Sequence, residues 1–155
     1  MGCCRGLNLL LGISVVIVAL NQWWFIALVP IVYIAAITMV SRGEVHGGNK
    51  NALYFAVVLY SIVIAAILLL SYIKGMFGWT FVFLLQFAWM IFSALIKAIQ
   101  LPLPQNIGKA VKAGVIALIL MNAAWATAFG AIGLAFLIVL LLPLSLWLSK
   151  LFAVT

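Results

Sequence analysis

The sequence is nearly devoid of acidic residues and poor in charge of either sign. A single acid, Glu44, and a single histidine, His46, stand among 155 residues, and charged residues make up 6% of the chain. Soluble proteins carry about 25% charged residues, so this chain has too little polar surface for a water-facing globule. The scarcity also limits catalysis, because acid–base and metal chemistry draw mainly on carboxylates, imidazoles and thiols.

Cysteine is almost absent as well. Cys3 and Cys4 are the only two, and they are adjacent near the amino terminus. This pattern gives neither a disulfide framework nor a zinc site of two cysteine pairs.

Apolar sequence dominates instead, at 70% of the residues, against about 45–50% in soluble domains. A bilayer core about 30 Å thick needs roughly 20 apolar residues in a helix. We therefore predict an all-α polytopic transmembrane helical bundle that forms one domain, residues 1–155, with no soluble domain. The spans are expected at about 2–20, 23–40, 52–73, 79–99, 110–129 and 131–148.

Small residues recur at four-residue spacing from the fifth predicted span into the first residue of the sixth. Ala123, Thr127 and Ala131 share one helix face, and Ala124 and Ala128 share another. In lipid, small residues let helix backbones approach closely, so we expect tight packing on both faces.

The basic residues occur singly between apolar runs and form no basic stripe, so we expect membrane lipid and not nucleic acid as a partner. With six spans, Lys74 lies on one side of the membrane, and the other seven basic residues lie on the opposite side: Arg5, Arg42, Lys50, Lys97, Lys109, Lys112 and Lys150. Short cytoplasmic loops hold an excess of Lys and Arg. This distribution predicts an integral protein of the plasma or inner membrane with both termini cytoplasmic.

The polar residues between spans are concentrated in one segment, Ser41 to Asn51. Three interpretations stay open. It is a solvated connection in which Asn49 or Asn51 caps the next helix, or a loop that binds an anionic group through Arg42 and Lys50. The third is a metal site, for which Glu44 and His46 offer only two ligands.

Two stretches resemble a known family. They are Arg5-Gly6-Leu7-Asn8-Leu9-Leu10-Leu11-Gly12, and Tyr33 placed eight residues before Ser41-Arg42-Gly43-Glu44-Val45-His46-Gly47-Gly48-Asn49. Both resemble the second half of UbiA-type membrane prenyltransferases, most closely the EboC-like branch. The resemblance covers essentially this whole chain and about half of such an enzyme.

The resemblance implies transfer of a prenyl group from prenyl diphosphate to an aromatic or other lipophilic acceptor. It implies Mg²⁺ as cofactor, held in the family by two aspartate-rich loops. The residues it assigns here to substrate binding are Arg42, His46, Asn49, Lys50, Tyr33 and Asn8, and Glu44 is the residue it assigns to metal.

The sequence departs from the family in its carboxylates. Glu44 is the only acid in the second motif, and the family's first motif, an asparagine–aspartate element, has no counterpart. Ionising an allylic diphosphate requires that its negative charge be neutralised by held metal ions. We therefore expect the chain to be inactive alone. Either a second membrane chain carries the amino-terminal half, or the sequence starts at an internal methionine of a longer one.

Two other functions remain as alternatives. One is a small membrane transporter or channel subunit, whose pathway would be marked by the intramembrane polar residues Asn8, Gln86, Asn122 and Thr127. The other is a structural membrane subunit with no ligand, in which the polar segment has no chemical role.

Overall fold

A computed structural model describes Leu7 and residues 24–45 and 50–151, and every element in the two ranges is helical. A short 3₁₀-helix, Trp24–Ala27, leads into the first of five α-helices. The helices are α1, Leu28–Val45; α2, Lys50–Ile73; α3, Phe77–Gln100; α4, Pro104–Ala128; and α5, Ile132–Leu151.

The all-α prediction is confirmed for the described ranges. Three helices, α2, α3 and α4, are long and apolar enough to cross a membrane, and two shorter apolar helices cover Leu28–Arg42 and Ile132–Leu148. A helix of 24 residues is ~36 Å long, which exceeds the ~30 Å bilayer core. The five helices correspond to the last five predicted spans. The first predicted span, residues 2–20, lies almost wholly outside the described ranges, so the count of six stays a prediction.

Short turns make consecutive helices antiparallel. The connections at 74–76, 101–103 and 129–131 each have three residues, and consecutive helices pack on one another. Gly75 and Gly130 have φ angles of 70° and 83°, a conformation that glycine adopts at little cost. Backbone hydrogen bonds then close the turns, from the Met76 N–H to the Ser71 carbonyl (3.0 Å) and from the Ala131 N–H to the Ala126 carbonyl (2.8 Å).

Helix α4 is the central element, because it packs against α1, α2, α3 and α5. Four of the five predicted small residues are fully or almost fully buried on it: Ala123, Ala124, Thr127 and Ala128. The fifth, Ala131, lies in the turn after α4 and is exposed. The prediction of close packing is confirmed for both faces of α4, and the close packing does not extend beyond the end of the helix.

Two helix ends differ from prediction. Helix α1 continues to Val45 and α4 begins at Pro104, whereas the predicted spans end at Val40 and begin near Ala110. Proline is well suited to the first turn of a helix, because its missing N–H would have no intrahelical partner there. Long polar and basic side chains can reach water from within a helix, so such residues do not require the backbone to leave the helix at these ends. Residues 41–45 of the predicted loop are therefore helical.

The antiparallel order gathers the positive charge at one end of the bundle. Six basic residues of the described helices lie near that end: Arg42, Lys50, Lys97, Lys109, Lys112 and Lys150. We call it the basic end. Lys74 follows α2 at the opposite end.

Membrane sidedness is testable by single-cysteine labelling in a variant in which Cys3 and Cys4 are serine. Cysteines that replace Lys109, at the basic end, and Lys74, at the other, should react with an impermeant maleimide from opposite faces of sealed vesicles. Disruption of the vesicles should make both positions reactive and serves as the control. Labelling of both from one face contradicts the antiparallel membrane bundle.

Candidate functional site at the basic end

Helix α1, which carries the polar segment, is attached to α4 by a buried tyrosine. Tyr33 is fully buried, and its hydroxyl donates a hydrogen bond to the Gly114 carbonyl at 2.6 Å. A carbonyl oxygen has two lone pairs, so it can accept this bond in addition to the intrahelical one. The contact fixes the depth of α1 against the central helix.

Four helices meet around this bond. A Cβ atom on Gly114 would lie 2.8 Å from Tyr60 Oη of α2 and 3.3 Å from Ile37 Cγ1 of α1. The Tyr33 ring meets the Tyr60 ring edge-on at 5.4 Å and lies 5.8 Å from Phe87 of α3. We call Tyr33, Tyr60, Phe87 and Gly114 the tyrosine cluster. The cluster lies in the interior of the bundle, further from the membrane surface than the basic end.

Between the tyrosine cluster and the basic end, the hydroxyl groups of α1 donate hydrogen bonds to carbonyls of the same helix. Thr38 Oγ1 donates to the Ile34 carbonyl and Ser41 Oγ donates to the Thr38 carbonyl, both at 2.8 Å. Arg42 follows in the last turn and is exposed. A cation at this position interacts favourably with the negative end of the helix dipole.

The predicted site residues fall into three groups. Arg42 and Lys50 are exposed at the basic end, one near the end of α1 and the other at the start of α2. Glu44 lies in the last turn of α1. His46, Asn49 and Asn8 lie outside the described residues, and their roles stay predictions.

Tyr33 is separated from the exposed residues. Arg42 is the ninth residue after Tyr33 in α1, which corresponds to a separation of ~14 Å along the helix axis. The structure therefore does not bring its hydroxyl together with Arg42. Its contact with Gly114 positions the helix that carries the polar segment. Sequence reasoning missed Gly114 and Tyr60, because a glycine and a tyrosine within apolar spans carry no motif.

The donor set does not fit a magnesium cluster held by this chain alone. Glu44 is the only acidic residue, whereas Mg²⁺ is bound through oxygen ligands, chiefly carboxylates. Among the described residues, no three His, Cys, Asp or Glu side chains gather into a possible metal site.

The polar residues proposed to mark a transport pathway are not gathered in the described part of the bundle. Gln86 and Asn122 are exposed on the outer surfaces of α3 and α4. Thr127 is buried, but its hydroxyl donates within its own helix, to the carbonyls of Ala123 at 3.2 Å and Ala124 at 2.9 Å. These three side chains line no common passage there.

Comparison with protein-family models, curated proteins and solved structures finds no match to this chain.

Proposed function

We propose that this chain is the carboxy-terminal half of a UbiA-type prenyltransferase, with six spans and both termini cytoplasmic. It binds the diphosphate of a prenyl donor at the basic end and acts together with a second membrane chain. The observation that carries the proposal is the position of the family-like segment. Residues 41–45 of the segment form the last turn of α1, which carries Arg42, and α2 begins at Lys50, at the end of the bundle where the basic residues gather.

The electrostatics of this end favour a polyanionic ligand. Eight basic residues and one acidic residue give the chain a net charge of +7, and six of the basic residues lie near this end. A guanidinium such as that of Arg42 pairs with phosphate oxygens through two parallel hydrogen bonds. Lys50 contributes a point charge. The prenyl tail and a lipophilic acceptor then lie in the membrane beside apolar helix surfaces.

The same argument requires a second chain. One carboxylate, Glu44, is too few for a Mg²⁺ cluster. In the proposed assembly, the other metal ligands and the asparagine–aspartate motif come from the amino-terminal half.

The test is transfer of a labelled prenyl diphosphate to an aromatic acceptor in lipid nanodiscs. The chain is assayed alone and with a membrane protein of the same genome that carries the missing motif. We expect no turnover alone and turnover with the partner. In the pair, Arg42→Ala should raise KM for the diphosphate by about tenfold or more, because a hydrogen bond to a charged group contributes roughly 1.5–3 kcal/mol.

Lys74→Ala is the matched control, because it removes a positive charge from the opposite end, and its KM should stay at the wild-type value. Turnover by the lone chain contradicts the half-enzyme assignment. An unchanged KM in Arg42→Ala contradicts the diphosphate site. Glu44→Gln should weaken metal-dependent turnover, and normal turnover by this variant refutes only the metal role.

A further inference from the structure

A groove between α3 and α4 lies outside the predicted site. It has a volume of about 230 Å³ and is lined by Ser93, Ala94, Lys97, Asn106 and Lys109. Two cations on different helices thus face one cavity. We propose that this groove binds the headgroup of an anionic phospholipid, with the lysines on its phosphodiester.

The first support is charge. Lys97 and Lys109 are both exposed, and the only acidic residue of the chain, Glu44, belongs to α1. No carboxylate of α3 or α4 can neutralise them. Two like charges at one groove are stabilised by an anion that contacts both.

The second support is polar geometry. The Asn106 side-chain Nδ2 donates to the Leu101 carbonyl at 3.0 Å, which holds the amide over the turn between the helices. Its second N–H hydrogen remains for a phosphate oxygen. Ser93 Oγ donates to the Met90 carbonyl at 3.3 Å, so its hydroxyl proton is already used, and the charged donors of the groove are the Lys97 and Lys109 ammonium groups.

The third support distinguishes a lipid from a soluble anion. Leu85, Trp89, Ser93 and Lys97 follow one another at four-residue spacing, and so lie along one face of α3. Trp89 is 77% exposed and Leu85 is 58% exposed. Near the groove, Leu101 and Leu103 are also exposed. An acyl chain would cover this apolar track below a headgroup at Lys97, whereas inorganic phosphate would leave it uncovered.

The test is native mass spectrometry of the purified chain titrated with phosphatidylglycerol or phosphatidylcholine. We expect preferential retention of phosphatidylglycerol. A basic residue near an anionic lipid contributes about 1 kcal/mol, or roughly fivefold, so Lys97→Gln/Lys109→Gln should weaken the first binding event by roughly 25-fold. The matched control is Lys74→Gln/Lys112→Gln, which removes the same net charge at residues that neither line the groove nor belong to the proposed diphosphate site, and should bind like the wild type.

A second variant tests the shape of the groove separately from the charge of its lysines. Ala94→Trp should fill the groove, leave both lysines in place and still reduce retention. Inorganic phosphate at millimolar concentration should not displace the lipid. Any of four results overturns the proposal. They are equal retention of the two lipids, equal loss of retention in the two double variants, wild-type retention by Ala94→Trp, and displacement of the lipid by inorganic phosphate.

Discussion

Gly114→Ala should lower the free energy of unfolding by up to about 2 kcal/mol, although alanine is the better helix former. Helix propensity alone favours alanine by about 1 kcal/mol. Against this, the added Cβ would lie 2.8 Å from Tyr60 Oη. The Tyr60 ring is buried against Tyr33 and has little room to move away. Overpacking of this kind typically costs about 1–3 kcal/mol and should outweigh the propensity gain.

The measurement is reversible unfolding by dodecyl sulfate in mild detergent micelles, followed by circular dichroism. Tyr60→Phe supplies the control, because it removes the oxygen that the new methyl group would contact. In that background Gly114→Ala should become neutral or stabilising, so the double-mutant cycle should show a coupling. The same loss of stability in both backgrounds would show that Tyr60 Oη does not restrict this position.

Ala124→Leu should destabilise the bundle by about 1–3 kcal/mol or more, because Ala124 is fully buried on the central helix. Helix association in lipid depends on close approach of small residues, and a leucine side chain would hold α4 away from its neighbours. The thermal midpoint of helicity in detergent should fall accordingly.

Ala131→Leu is the matched control for this substitution. Ala131 belongs to the same series of small residues but is exposed in the turn after α4. Its change should stay within about 0.5 kcal/mol. Equal effects at positions 124 and 131 would contradict the tight packing around α4.

The helix α3 and the close-packed faces of α4 were predictable from the sequence, because both depend on short-range pattern. Long apolar runs bounded by polar breaks predicted 79–99 for a helix that spans Phe77–Gln100. Four-residue spacing identified four buried positions of α4, which are Ala123, Ala124, Thr127 and Ala128. Here lipid imposes helical structure on any long apolar stretch, since unpaired backbone groups are costly in the membrane.

The helix ends and the candidate site were less predictable. Charged residues such as Arg42 and Lys109 suggested loops, yet long side chains reach water from within a helix, so charge marks the membrane boundary and not the end of the helix. Gly114 and Tyr60 meet only after α2 and α4 pack, and no spacing in one segment encodes that contact. The groove at Lys97 and Lys109 likewise depends on the turn that folds α4 back on α3.

The unequal charge at the two ends makes the bundle responsive to voltage. In the described helices, six basic residues lie near one end and Lys74 lies at the other. A membrane potential acts on each elementary charge with about 2.3 kcal/mol per 100 mV, so the net excess of four charges at the basic end, after Glu44 is subtracted, corresponds to roughly 9 kcal/mol at 100 mV in favour of one orientation. An energised membrane that is negative on the side of the basic end therefore favours this orientation of the inserted chain over the inverted one, and collapse of the potential removes that part of the preference.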